Sequence, residues 1–238
     1  MNLLILENHE LKNDVYVIKG RKYEHITKVL KSKVNDKLQA GVLNIALGEF
    51  LIQKIDHDLK VIEGIFFQRQ NELTSKFHRL NFYFAFQRPQ TTKKILHLAS
   101  LIGVGSINFF RAEKSEKSYE DSNLWKNDSY IEEMILGLEQ GKRVNLPKVE
   151  KLKSIYNINF EKEFIVLEPN SKILFNEKKS LLEEMNPVMI FLGPESGFVE
   201  KEIEYLEKKG GICIKVSNSI LRTEQAFAFS LSQIEFLL

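Results

Sequence analysis

The chain has 238 residues, 43% of them hydrophobic and 28% charged, and its net charge is +2. These values suit a soluble globular protein long enough to bury a real core, as one large domain or two modest ones. They exclude a polybasic nucleic-acid coat, though a local basic patch remains open. The single cysteine, Cys213, excludes an intramolecular disulfide and suits a reducing cytosol. It lies in the apolar run 212–216 and reads as a small buried hydrophobe rather than a nucleophile. The opening MNLLILENHE is too short for a signal peptide and lacks a basic flank, and no apolar run reaches the length of a membrane span. A cytoplasmic protein without membrane contact is expected.

In chain order, the first seventy residues look mostly β. Runs at 15–18, 37–42, 49–55 and 61–67 are short, apolar or alternating, and separated by Gly, Asn and Asp. One helix pattern interrupts them over 22–31, with Ile26, Val29 and Leu30 on one face. A small barrel with one helix is expected there. Residues 68–76 (QRQNELTSK) are polar and read as a linker. Beyond it the rhythm changes. The dense apolar run 81–86 predicts a strand buried on both faces. A helix over 91–101, a strand at 107–110, a long polar loop over 119–127, a helix over 130–138 and a strand at 164–167 follow. Next come a strand at 188–192, the loop Gly193-Pro194-Glu195-Ser196-Gly197, a helix over 199–209 and a strand at 212–216. The chain closes with Ser217-Asn218-Ser219, Ile220-Leu221-Arg222-Thr223-Glu224 and a final apolar helix. Strands alternating with helices predict an α/β fold with a parallel sheet.

The chemistry is expected in the last fifty residues, because ligands of open α/β sheets bind outside the carboxyl ends of the strands. Two strand ends deliver two polar loops, one rich in glycine and one carrying Arg222 and Glu224. The glycine-rich loop alone reads more readily as a plain strand-to-helix turn than as a ligand loop. Glu224 could simply complement a helix dipole, and Arg222 could be a surface cation. Near the start, Lys19, Arg21, Lys22, Lys28, Lys31 and Lys33 face a single Glu24, which suits either phosphate contacts or a solvated helix face. His57, His78 and His97 fall in no ligand spacing, so no metal is expected. Gly103-Val104-Gly105 lacks the third glycine of a dinucleotide fingerprint and follows a helix, so it is dismissed. The final helix is apolar nearly all round through Ala226-Phe227-Ala228-Phe229, Leu231, Ile234, Phe236, Leu237 and Leu238. Its narrow polar strip is Ser230, Ser232, Gln233 and Glu235. Such a helix must be buried on most sides, which predicts a homodimer with Phe229 and Ile234 at the contact.

GPESGF followed by SILRTEQA resembles the signature GPEGGF…RILRTETA of the RsmE family of ribosomal RNA uridine N3-methyltransferases, within the SPOUT superfamily. His25-Ile26-Thr27-Lys28-Val29-Leu30 is similar to the family's H-L-x-K-V-L-R, Ile102-Gly103-Val104 to its E-L-G-V, and Glu139-Gln140-Gly141-Lys142-Arg143 with Pro147 to its E-Q-x-x-R…P. Ser196, Gln225, Asn218-Ser219, Lys31 and Asn35 depart from the pattern. The resemblance implies a PUA-like RNA-binding β-barrel over 1–70 and a SPOUT methyltransferase domain with a trefoil knot over 77–238. It implies S-adenosylmethionine as cofactor and N3 of a uridine in 16S ribosomal RNA of the small subunit as target. The cofactor would lie among Leu167, Glu168 and Pro169, then Leu192, Gly193, Pro194, Glu195 and Gly197, then Val216, Ser217, Asn218, Ile220, Leu221, Thr223 and Ala226. Arg222 and Glu224 would be catalytic. Arg21, Lys22, His25, Lys28, Lys31 and Arg143 would touch RNA. The alternatives are a SPOUT methyltransferase acting on a ribose 2′-oxygen or another base, and a non-catalytic RNA-binding protein.

Overall fold

The computed structural model describes residues 2–70, 74–126, 128–160 and 162–237. The first half forms a curled sheet from β1 (Leu4–Leu6), β2 (Leu11–Lys12), β3 (Val15–Ile18), β4 (Lys37–Val42), β5 (Ala46–Asp56) and β6 (Val61–Gln70). Its strand order is β1-β4-β5-β6-β3-β2, with β1 parallel to β4 and the other pairs antiparallel. Alternation turns Leu38, Phe50, Ile52 and Ile62 into one apolar core. Between β3 and β4, α1 (Gly20–Glu24) runs into one π-helical turn, His25–Val29. The wider π turn shifts the helical phase. Ile26 is therefore buried as expected, whereas Val29 is 66% exposed and leaves the expected apolar face. The expected linker lies partly outside the described residues. Its first residues, through Gln70, extend β6.

The second half follows the α/β rhythm. In chain order it contains β7 (Leu80–Ala85), α2 (Pro89–Ile102), β8 (Ser106–Phe110), α3 (Lys117–Glu120), α4 (Asn123–Lys126), α5 (Ser129–Gly141), β9 (Lys148–Leu152) and β10 (Phe164–Leu167). Then come α6 (Lys179–Glu184), β11 (Val188–Leu192), α7 (Glu200–Lys208), β12 (Gly211–Ile214) and α8 (Thr223–Leu237). The six strands pair in the order β12-β10-β11-β7-β8-β9, all parallel. β7 shows why both faces must be covered. Phe82 and Phe84 meet Phe227 of α8 edge-on at 4.7 and 5.3 Å, while Tyr83 stacks on Phe191 at 4.4 Å. One expectation fails here and one strand had no expectation. The polar stretch 119–127 is not a long loop, because Leu124 and Trp125 are buried and Trp125 packs on Phe109 at 4.9 Å, fixing the short helices α3 and α4. β9 escaped notice because its sequence KVEKL is charged, as suits a sheet edge.

α8 is buried through Phe227, Leu231 and Ile234. Ile234 is wholly within the core, so it is not a surface contact for a second subunit. Ser230 also leaves the expected polar strip: it is buried and its Oγ donates to the Phe227 carbonyl at 2.7 Å. Gln233 Nε2 donates to the Val216 carbonyl at 2.7 Å, tying the helix to the loop after β12. Phe229 and Phe236 remain 48% and 90% exposed.

The two sheets meet at a seam where Leu3 and Ile5 pack on Ile135, Leu138 and Val144. Leu3 N donates to the Glu139 carbonyl and Asn44 N to the Val144 carbonyl, both at 2.8 Å. Gly41 is required at this point, since a Cβ there would lie 2.2 Å from Val144 Cγ1.

Removing the central ring in Phe227→Ala should cost about 3–5 kcal/mol, because it leaves a cavity against Phe82 and Phe84; a denaturant midpoint that does not fall would contradict this packing. Burial, helped by Glu207, pushes the Cys213 thiol up to about 12 from 9.0. The folded protein therefore keeps this thiol neutral where the unfolded chain ionises it. That contribution to stability is full below pH 9 and is lost as pH rises toward about 12. Cys213 should react with a thiol-specific disulfide reagent at pH 8 only when denaturant is present, as followed by absorbance.

Candidate active site

Register explains how the three loops meet. β10 lies between β11 and β12, with Leu167 level with Leu192 on one side and with Ile214 on the other. Strands in a sheet are about 4.8 Å apart, so the chains leaving their carboxyl ends enter one space. That space is a cleft of about 390 Å³, within the range of small-ligand sites. Leu167, Glu168 and Pro169 line it from β10. Leu192, Gly193, Pro194, Glu195 and Gly197 line it from β11. Val216, Ser217, Ile220, Leu221, Thr223 and Ala226 complete it after β12. Asn218 is the exception among the expected lining residues. It is exposed outside the cleft, in a turn closed by Ser219 N donating to Ser217 Oγ at 3.0 Å. Ser196 and Ser219 of the two expected loops also line the cleft, and so do residues 114, 170, 198, 214 and 215, which carried no expectation; the polar 111–116 stretch after β8 was the available signal for the first of these.

The glycine-rich loop is held from behind. Gly197 N donates to the Pro194 carbonyl at 2.8 Å, and Gly197 has φ +73, a conformation that favours glycine. A Cβ on Gly193 would come within 3.1 Å of the Phe198 ring and amide, so this glycine serves the closure of its own loop rather than open ligand space. Gln87 is buried and its Nε2 donates to both the Ala85 and Gly193 carbonyls at 2.9 Å, while its Oε1 has no protein partner among the described residues. Arg88 N donates to Glu195 Oε1 at 3.2 Å. The start of α2 therefore braces this loop twice.

Arg222 and Glu224 flank the cleft without lining it. Arg222 is exposed, and its backbone N–H donates to Gln225 Oε1 at 3.0 Å. Gln225 thus closes the first turn of α8, which accounts for glutamine at this departure from the family pattern. The exposed Arg222 lies between the lining residues Leu221 and Thr223 in the chain. Glu224 Oε1 accepts from Lys94 Nζ of α2 at 3.2 Å. The decoy Gly103-Val104-Gly105 is structural: Gly103 ends α2 at φ +80, and a Cβ on Gly105 would lie 2.1 Å from the His78 carbonyl.

The basic cluster does not face a single glutamate. Lys22 is buried and donates to Glu7 Oε1 at 2.9 Å and Glu10 Oε2 at 2.8 Å, so it is withdrawn from any phosphate. Arg21 forms a two-pronged pair with Glu139 of α5 at 2.7 and 2.9 Å, and the Glu139 hydrogen bond raises its pKa further. Lys28 pairs with Glu24. Lys19, Lys31 and Lys33 are exposed, and His25 is half-buried. Arg143 Nε donates to the Leu101 carbonyl at 3.1 Å and its guanidinium lies against Gly103. Gln140 Oε1 is 3.0 Å from His97 Nε2. Glu139, Gln140 and Arg143 thus all bond to other parts of the fold. One group of possible metal ligands occurs among the described residues, Glu7, His9 and Glu10, and the Lys22 ammonium already bonds both carboxylates.

Residues 74–235 match the family model described as an RNA methyltransferase domain. The chain is 34% identical over 236 residues to "Ribosomal RNA small subunit methyltransferase E 1" of Borreliella burgdorferi, covering 95% of this chain and 94% of that one. It is 26% identical to "Ribosomal RNA small subunit methyltransferase E" of Treponema pallidum, covering 95% and 87%. Its fold is similar to that of the Neisseria gonorrhoeae ribosomal RNA small subunit methyltransferase E bound to S-adenosyl methionine, with TM-score 0.73, 14% identity and 97% of each chain covered. By the extent of the family match and the identity along nearly its whole length, this chain belongs to the RsmE family of RNA methyltransferases.

Proposed function

We propose that the protein transfers a methyl group from S-adenosylmethionine to N3 of a uridine in 16S ribosomal RNA of the small subunit. The observation that carries this is the convergence of three parallel strand-end loops on one cleft, in a chain of this family. The lining fits the cofactor. Leu167, Leu192, Val216, Ile220 and Leu221 offer apolar surface for an adenine, and the loop backbones offer polar groups for its edges and ribose. When bound, S-adenosylmethionine supplies an electrophilic methyl group. The protein's own work is positioning and electrostatics. Neutral uracil carries a proton on N3 and must lose it to become a good nucleophile. Arg222, an exposed cation beside the cleft whose cap bond uses only its backbone, stabilises the developing negative charge in this reading. Glu224, fastened to Lys94, orients that loop.

In this reading residues 1–70 form a PUA-like RNA-binding module and residues 77–238 a SPOUT catalytic unit with a knotted end. Separate apolar cores around Phe50 and around Phe82 support the division. Lys19, Lys31 and Lys33 take the RNA phosphates, since the other cations of that cluster are paired with carboxylates. The enzyme works in the cytoplasm as a homodimer. Phe229 and Phe236 of α8, with Ile220 at 91% exposure, supply the apolar contact.

Small ribosomal subunits from a strain lacking this gene, incubated with enzyme and S-adenosylmethionine and then digested, should yield 3-methyluridine. A methylated ribose or another base would overturn the N3 assignment. Arg222→Ala should lower kcat about a hundredfold with cofactor affinity changed less than about twofold. Sedimentation at micromolar concentration should give a dimer, and Phe229→Glu with Phe236→Glu should give monomers; a monomeric unmodified protein would refute the dimer.

A further inference from the structure

Lys114, in the segment just after β8, lines the cleft. Its Nζ donates to the Ser196 carbonyl, in the glycine-rich loop, at 3.3 Å. Among the described residues no carboxylate forms an ion pair with it. The bond to a neutral carbonyl is long, so the ammonium keeps most of its capacity for an anion.

The placement of Lys114 is built in. Glu202 of α7 is 1% exposed. Its Oε1 accepts from Glu113 N at 2.9 Å and its Oε2 from Val199 N at 3.0 Å. One buried carboxylate therefore pins the residue before Lys114 to the start of the helix that follows the glycine-rich loop. Lys201 pairs with Glu113 as well. The backbone carrying Lys114 is thus fixed relative to Ser196, although the side chain itself is exposed.

The other charged lining groups narrow the assignment. Glu168 Oε1 accepts from Asn170 N at 3.1 Å and Glu195 Oε1 from Arg88 N at 3.2 Å, and both would repel an anion. Two cations remain, Lys114 and Lys215. Of these, Lys114 already reaches the glycine-rich loop through its ammonium. S-Adenosylmethionine carries one anionic group, the α-carboxylate of its amino-acid tail.

We propose that Lys114 is the carboxylate subsite of the cleft and binds that α-carboxylate, exchanging its contact with the Ser196 carbonyl for a charge-assisted hydrogen bond. The proposal rests on the cofactor reading above. Two ligands differing only in this group decide it: S-adenosylmethionine and its decarboxylated form, each titrated calorimetrically into the full chain. The unmodified protein should bind S-adenosylmethionine about fivefold more tightly, the scale of a rim-exposed ion pair. Lys114→Met should bring the two affinities within about twofold, and Lys114→Arg should keep most of the preference. Lys215→Met should leave the ratio unchanged. Thermal melts of each variant check that the fold is retained. A preference that survives Lys114→Met, or that Lys215→Met abolishes, overturns the assignment. Equal affinities in the unmodified protein overturn it too. If neither ligand binds, the cofactor reading itself falls, and a failure of that kind is distinct from a lost preference.

Discussion

Everything at the cleft depends on the parallel pairing of β10 with both β11 and β12. A parallel ladder sends every strand out at the same edge. Because Leu167, Leu192 and Ile214 are in register, the three exits are level as well as adjacent. A slip of one residue in β12 would exchange the faces of Cys213 and Ile214 and carry the 215–221 loop away from its neighbours. Packing on both faces resists that slip: Ile214 is fully buried in the core shared with α8, and Cys213, only half-buried where full burial was expected, packs against the opposite cluster. The same register lets α8 return across the sheet with Phe227 on Phe82 and Phe84, so that Gln233 can reach the Val216 carbonyl. Helix and loop hold each other.

Much of this was legible in the sequence, for a physical reason. Strands covered on both faces are written as dense apolar runs, and β7, β10 and β11 announce themselves that way. Loops at their carboxyl ends stand out by contrast, which located two of the cleft's walls; the list of lining residues came from the family resemblance, and all but Asn218 converge. Elements whose identity depends on distant partners were not legible. β9 is charged and earns its place by pairing with β8. α4 sits in a polar stretch and is held by Trp125 against Phe109. Ser230 looks like a surface residue, but satisfies its hydroxyl on its own helix and so can be buried. The π turn at His25–Val29 changes the helical period that places Val29 inside.

Charge was the hardest feature to read. Composition shows six cations near one acidic residue, but an ion pair is formed by groups near in space. Glu139 is 118 positions from Arg21, and Glu7 and Glu10 reach Lys22 across a chain reversal. Lys22 could be buried only with carboxylates for company, since an unpaired ammonium loses its hydration there. The pairs at Arg21 and Lys22 are thus conditions of the fold before they are anything else, and the exposed lysines are what remains for a partner.

The Arg21–Glu139 pair also joins α1, between the third and fourth strands of the first sheet, to α5 of the second half. Glu139 belongs to α5, whose Gly137 sits so tightly on α2 that a Cβ would lie 2.2 Å from the His97 carbonyl. α2 begins just beyond Gln87, which donates to the Gly193 carbonyl, and Arg88, which donates to Glu195. A continuous series of close contacts therefore runs from the basic helix to the glycine-rich loop. Such a series is evidence of rigidity and not, by itself, of signalling between sites. Rigidity is what a methyl transfer to a large RNA requires. In the proposed reading the RNA is held by one surface and reacts at another, and misplacement by about 1 Å at the reacting atoms is costly. A flexible tether between the two sheets would allow binding without alignment. The seam of Leu3, Ile5, Leu138 and Val144, closed over Gly41, instead packs the first sheet directly on the half that carries the cleft.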